Sequence, residues 1–407
     1  MRKYDVGQLF TPATPINEKD LFAGRGKQIE AVLDTISQRG LHAIVFGERG
    51  VGKTSLANVL AGFFHGPHSK RIVAPRVTCH SADTFPALWQ RVFKEIGADA
   101  PGQPMGLGKS TEDGPTLADV YASEVITPDV VREGLSTVAD KYLLLLIIDE
   151  FDRLTDPADS QLFADTIKAL SDYAVKVTIV LVGVADAVDD LIAGHESIQR
   201  NLVQIPMPRM SQKELRQIIT DRLPKVNMTI DDEALSKICF LSRGLPHYAH
   251  LVGQYSAWAA IDGNQRNIGT VHVGLAMNNA IKNSQQTIQS AYHKATMSPR
   301  KDSLFAQVLL ACALAPADEF GYFAAADVRA PMSRIMKEEY DIPRFVRHLR
   351  LFGEVAKGEI LQEIGERYQR RFRFKNPLMQ PYIIMRGIAS ETITMEDLSD
   401  YPGAYEM

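Results

Sequence analysis

Residues Gly47-Glu48-Arg49-Gly50-Val51-Gly52-Lys53-Thr54 satisfy G-x-x-x-x-G-K-[ST] at every fixed position. The chemistry that this spacing serves is the grip of a polyphosphate. Glycines let successive main-chain N–H groups turn inward as an anion nest, a lysine reaches the outer phosphates, and a hydroxyl ligates magnesium. Gly47, Gly50, Val51, Gly52, Lys53, Thr54 and Ser55 are therefore candidate nucleotide contacts, and Thr54 is also a candidate metal ligand. Such a loop needs an acidic strand end to hold the metal and orient water. Asp149-Glu150, closing the apolar run Tyr142 to Ile148, has that composition. Asp149 is the second candidate magnesium ligand, and Glu150 and Lys53 are candidate catalytic groups, one polarising water and one facing the phosphates.

The elements that must position these residues are legible around them. "HAIVF" reads as a strand ahead of the loop and a helix follows it, which adds its positive N-terminal end to the phosphate site. Further strands are expected at Arg71 to Cys79, Tyr142 to Glu150, Val175 to Gly183 and Asn201 to Met207, with helical periods between them. The run "YLLLLII" is apolar throughout, as befits a strand covered on both faces. Strands alternating with helices predict a parallel, doubly wound α/β sheet. Residues 97–116, dense in Gly and Pro, read as a loop or insertion. From Ser211 the pattern turns helical, opening with the S-x-x-E spacing of a capping box at Ser211 and Glu214. A long helical span is expected from about 270 to 296.

Length and composition bound the rest. At 407 residues the chain is expected to form two or three domains, and 45% hydrophobic with 23% charged residues is ordinary for a globular protein. A formal charge of -4 gives no global attraction to nucleic acid or to a membrane surface. Cys79, Cys239 and Cys312 lack paired spacing, and the N-terminal decapeptide lacks an apolar core. No apolar run approaches the roughly 20 residues of a membrane helix. A cytoplasmic protein with no membrane partner is the expectation. His65, His68, Cys79 and His80 carry no spacing that fixes a zinc geometry, so magnesium is the one metal expected.

The order "LFAGRGKQIE", "GERGVGKT", "LLLLIIDEFD", "TIVLVGVAD", "SIQRNLVQIPMPRMSQKEL" and "SRGLPHYAHLV" resembles the AAA+ ATPases, and within them the clade of replication initiators and loaders with the related STAND-type signalling ATPases. The resemblance covers roughly residues 20 to 260. It implies a P-loop ATPase core with a helical lid, ATP/ADP and Mg²⁺ as ligands, hydrolysis of ATP that can be slow, and a homo-oligomer. Arg25, in the turn that packs on adenine in such proteins, favours ATP over GTP. Arg200 falls where an arginine finger reaches a neighbour's γ-phosphate; a helix-terminal arginine facing the dipole is the other reading. Asp186 falls at the sensor position, where an acid repels phosphate unless it holds water or a cation. His247 stands where many relatives carry a lid arginine, and a neutral imidazole there senses γ-phosphate weakly; packing beside Pro246 is the alternative.

The C-terminal third has the element order of a winged helix, with a third helix starting near Asp341 and Pro343 and a hairpin turning at Gly365-Glu366. Nine Lys/Arg against five Asp/Glu between Asp341 and Asn376 give a local charge of +4 (9 − 5). Arg344, Arg347 and Arg350 on that helix, with Arg370, Arg371 and Arg373 on the wing, are candidate contacts to duplex DNA. Pairing of these cations with acids, and docking on protein, is the rival reading. The expected domains are an N-terminal extension (1–20), the ATPase core (21–210), the lid and linker helix (211–298), the winged helix (299–388) and an acidic tail (389–407). Two functions follow: an ATP-driven protein that oligomerises and engages DNA or loads a partner there, or a STAND-like nucleotide switch whose winged helix binds protein.

Overall fold

The strand expected before the phosphate loop is β1 (His42–Phe46), and all five of its residues are buried. It lies between β5 and β6 in a parallel sheet with β2 (Ile72–Val73), β3 (Arg76–Thr78), β4 (Leu143–Asp149), β5 (Val177–Gly183) and β6 (Leu202–Pro206). The order across the sheet is β2 or β3, then β4, β5, β1 and β6, so the loop strand and the acidic strand are separated by β5. β4 is buried from Leu144 to Asp149 and β5 throughout, which accounts for their largely apolar composition. In such sheets ligands bind beyond the C-terminal strand ends, where Gly47 and Asp149-Glu150 lie.

The computed structural model describes residues 3–12, 14–15, 24–64, 72–99, 116–184, 196–299, 303–365 and 369–400. They form two units: a core unit of residues 15–47 and 52–207, and a second unit of residues 1–14, 48–51 and 208–407. In the core unit the helix Pro157–Asp172 starts at Asp156, whose carboxylate accepts the Ala158 N–H at 2.8 Å, with Pro157 at its first position. Its Phe163 meets Phe85, Trp89 and Phe151 at ring-centroid distances of 5.1, 5.8 and 5.1 Å. Phe151 follows Glu150 directly, so this aromatic cluster anchors the turn that presents the acidic pair.

The second unit is mainly helical. The capping box at Ser211 is formed reciprocally: its N–H donates to Glu214 Oε2 at 2.8 Å, and Glu214 N–H donates to Ser211 Oγ at 3.3 Å. The span expected as one helix from 270 to 296 is two, Thr270–Lys282 and Gln286–Thr296. Asn283 and Ser284 donate to the carbonyls of Asn279 and Ile281, and this local competition ends the first helix. The N-terminal extension contains the helix Lys3–Leu9, and Val6 and Phe10 are fully buried. A Cβ at Gly253 would meet Phe10 at 2.9 Å, so the helix Pro246–Asp262 accepts that aromatic ring only through a glycine.

Beyond residue 303 the order is helix Phe305–Leu314, β7 (Phe323–Ala324), helix Ala325–Met336, helix Val346–Leu351, β8 (Leu361–Ile364), β9 (Arg371–Phe374) and helix Met379–Ala389. These three strands form an antiparallel sheet in the order β8-β9-β7. The helix expected from Asp341 starts later. Ile342–Arg344 is a 3-10 turn, and the α-helix begins at Val346.

Candidate nucleotide-binding site

The phosphate loop has the backbone that its sequence requires. Gly50 and Gly52 take φ of 88° and 99°, a region open to glycine and strained for other residues. A Cβ at Gly47 would lie 2.3 Å from the Met207 carbonyl oxygen, so this position excludes any side chain. The helix Lys53–Phe64 begins at the motif lysine and buries Leu56, Ala57, Val59 and Leu60. That places Lys53, Thr54 and Ser55 in its first turn. Lys53 is 7% exposed, and its ammonium donates to the Gly47 carbonyl at 2.8 Å.

At the acidic strand end Asp149 is buried. Its Oδ1 accepts the Glu150 N–H at 2.9 Å, and its Oδ2 accepts Arg76 Nη2 at 2.6 Å. Glu150 takes a left-handed φ of 55°, and its carboxylate pairs with Arg153 at 2.9 Å. Asp152 accepts the Val184 N–H at 2.7 Å and ties this turn to the end of β5. Thr54 and Asp149 offer the hard oxygen donors that magnesium takes, which fits its habit of using one or two protein ligands with phosphate and water.

The middle of the loop, Glu48–Val51, groups with the second unit. There Glu48 is held by Arg209, whose Nε and Nη2 lie 2.5 and 3.2 Å from the two carboxylate oxygens. Arg209 Nη1 also donates to Gln380 Oε1 at 2.5 Å and to the Arg243 carbonyl at 3.3 Å. Gly321, at φ 80°, backs this pair: a Cβ there would meet Glu48 Oε1 at 2.4 Å and Arg209 Nη2 at 2.6 Å.

Arg25 has a left-handed φ of 65° and is buried at the start of helix Gly26–Ser37. Arg200 lies in the 3-10 turn Glu196–Asn201 and is 76% exposed, with Asp172 4.0 Å away. Asp186 lies outside the described residues. His247, at the position where many relatives carry a lid arginine, donates from Nδ1 to the Pro12 carbonyl at 2.7 Å. A carbonyl can only accept, which fixes the proton on that nitrogen. Burial lowers its pKa, and the Pro12 hydrogen bond raises it. His250, one helical turn on, accepts the Thr11 N–H at Nδ1. Both histidines thus bind the N-terminal segment.

The C-terminal cations are mostly paired. Arg344 lies outside the helix that was expected to carry it; it pairs with Glu338 at 3.2 Å and covers the Tyr340 ring at 3.8 Å. Arg370 pairs with Glu363, Arg371 with Asp318, and Arg373 donates to Gln362. Arg347 and Arg350 are exposed, with no ion pair among the described residues. The expected stripe of three arginines on one helix is therefore two.

Sequence reasoning missed Arg76 and Arg209, since each is defined by a partner that only the fold supplies; it also missed Arg153, whose i, i+3 spacing from Glu150 was a legible signal. With this geometry in place, the model of the family described as Novel STAND NTPase 1 matches residues 14–245, more than half of the chain. The chain belongs to the novel STAND NTPase 1 family. This STAND NTPase is also similar in structure to a Walker-type ATPase of Pyrococcus abyssi, with TM-score 0.54 and 14% identity over 92% of this chain and 99% of that one. Cdc6p of Pyrobaculum aerophilum matches with TM-score 0.47 and 14% identity, over 95% and 99% of the two chains. The ORC1 protein of Aeropyrum pernix, solved in complex with DNA, matches with TM-score 0.47 and 12% identity, over 96% and 98%. No curated protein matches the sequence. Family and sheet together make the protein a STAND-type P-loop NTPase.

Proposed function

We propose that this STAND NTPase is a nucleotide switch: it binds ATP or ADP with Mg²⁺ at the phosphate loop, hydrolyses ATP, and passes the nucleotide state to its C-terminal region. The observation that carries this reading is the buried Glu48–Arg209–Gln380 chain. Glu48 belongs to the loop itself, and Gln380 to the helix Met379–Ala389. Main-chain amides that close around a phosphate cannot move without moving the Glu48 carboxylate, and a buried charge cannot leave its partner cheaply. Loop and C-terminal helix are therefore expected to shift together. In this reading Lys53 binds the outer phosphates, Thr54 and Asp149 hold the metal, Glu150 polarises water, and Arg25 lies toward the base. The exposed Arg200 is available to a second copy of the chain, which supports nucleotide-dependent oligomers. The elements from Phe305 to Phe374 are read as a winged helix that meets a protein partner, because most of its basic residues are already paired.

Hydrogen exchange with and without ATP and Mg²⁺ tests the coupling. Protection in Met379–Ala389 should change on nucleotide addition in wild type and stay constant in Lys53→Ala. An unchanged C-terminal helix in a protein that binds nucleotide sinks the switch. Exposed Arg347 and Arg350 favour the second reading, contact with duplex DNA. Affinity that falls steeply with salt, and falls further in Arg347→Glu/Arg350→Glu, would support it.

A further inference from the structure

β3 is an edge strand, paired in parallel with β4 so that Thr78 stands opposite Asp149 and Arg76 opposite Ile147. From that position Arg76 reaches forward to Asp149 Oδ2 at 2.6 Å, while the Glu150 amide holds Oδ1. Asp149 is 2% exposed and Arg76 27%, so a nearly dry carboxylate is neutralised by a cation that retains a path to solvent. Arg91, another arginine close to this strand end, is bonded to Asp83. Arg76 is thus the arginine bonded to Asp149, the candidate metal ligand, and it holds the oxygen that Oδ1's amide bond leaves over.

Magnesium needs a carboxylate oxygen at about 2.1 Å in near-octahedral geometry. A guanidinium on the same oxygen obstructs that approach and repels the divalent charge at short range. We propose that Arg76 is a built-in counter-cation of Asp149 that magnesium must displace, and that it thereby sets the magnesium requirement of nucleotide binding. The inference rests on the phosphate-site reading above. Arg76 touches no phosphate in this scheme; it is a positioning residue that acts through Asp149. The edge position of β3 lets the side chain swing outward without disturbing the sheet.

The test is a magnesium titration of the full-length protein, starting in EDTA, with a fluorescent ADP analogue. Arg76→Gln should lower the half-saturating magnesium concentration by about tenfold, the effect of a single unit charge at a part-buried site. A folded Arg76→Gln with an unchanged midpoint overturns the proposal. A second arm omits nucleotide. Magnesium alone should raise the melting temperature of Arg76→Gln, leave wild type unmoved, and lose its effect in Arg76→Gln/Asp149→Asn, a pattern that a merely structural arginine does not produce. Should the Gln variant not fold, Arg76→Lys replaces it: a midpoint below that of wild type supports displacement of the fork-shaped guanidinium, and an equal or higher one overturns it. Failure of every protein to bind nucleotide removes the phosphate-site reading. The melting arm then still decides whether Arg76 and magnesium exclude each other at Asp149, and no magnesium effect in Arg76→Gln counts against it.

Discussion

Arginine–carboxylate pairs occur both around the phosphate loop and along the C-terminal hairpin, with similar distances and opposite surroundings. At the loop, Arg209 and Glu48 side chains are 0% and 2% exposed. At the hairpin, Arg371 and Asp318 are 42% and 32% exposed, and in the segment before the helix Val346–Leu351, Arg344 and Glu338 are about half exposed. Coulomb attraction between exposed groups is screened and opposed by side-chain entropy, so such pairs contribute little. A buried pair is different: whatever its net contribution, neither member can be removed without stranding the other in a low-dielectric interior. The charges near the loop are therefore obligatory parts of the fold, and those of the hairpin are free to exchange partners.

The largest test of this difference is Arg209→Ala, which leaves Glu48 buried without its cation. A loss of about 3–5 kcal/mol in denaturant unfolding is expected. A loss below about 1 kcal/mol would place this pair with the exposed ones. Arg209→Met combined with Glu48→Leu should recover much of that stability while abolishing the nucleotide response of the C-terminal helix.

Buried histidines carry the same principle to a group that can shed its charge. Burial lowers His42, which has no partner for Nε2 among the described residues, from 6.5 to about 4. Burial first, then Arg222 and His247, lower His250 to about 3. The unfolded chain takes up protons below about pH 6.5 and the folded chain does not. Stability is therefore full above pH 6.5 and is lost as pH falls toward 4 and 3, by at most about 1.4 kcal/mol per pH unit for each histidine. Melting temperature against pH checks this, and His42→Asn, which keeps an acceptor for the Ile179 N–H, should flatten the acid limb. An unaltered limb in that variant removes His42 from the account.

Gly321→Ala should follow, at about 1–3 kcal/mol, since it combines a left-handed backbone with a Cβ thrust into the Glu48–Arg209 pair. Wild-type stability for this variant would mean that the pair tolerates displacement. That outcome would weaken the contrast with the hairpin.

What the sequence disclosed follows from the range of the physics involved. The phosphate loop, the acidic strand end, the buried strands and the Ser211 cap are encoded within a dozen residues each, by glycine conformations, apolar runs or side-chain caps. Arg76 and Asp149 are 73 residues apart, Glu48 and Arg209 are 161, and Arg209 and Gln380 are 171. Those partnerships exist only once parallel strand register and helix packing are fixed. The helix Lys3–Leu9 spans seven residues, too few for a periodic signal, and its place is set by the helix that receives Phe10. His247 is bound by the Pro12 carbonyl 235 residues away, a partner that chain order does not reveal, whereas Arg344 is turned by Glu338 only six residues away.

The smallest expected effect lies at the exposed end of the contrast, and it separates the two functional readings. Arg344→Ala removes an ion pair with both partners about half in solvent, so less than about 1 kcal/mol of stability should be lost. Arg347→Glu/Arg350→Glu breaks no described pair and should leave the unfolding midpoint unchanged. If the hairpin region meets a protein, duplex DNA binding should be weak in wild type and indifferent to this double reversal. If it meets DNA, the reversal should weaken binding to all sequences alike and flatten the dependence of affinity on salt, because fewer counterions are released. Measured by anisotropy at two salt concentrations on a protein of unaltered stability, that slope reports the surface charges alone, which the buried pairs at the loop cannot mimic.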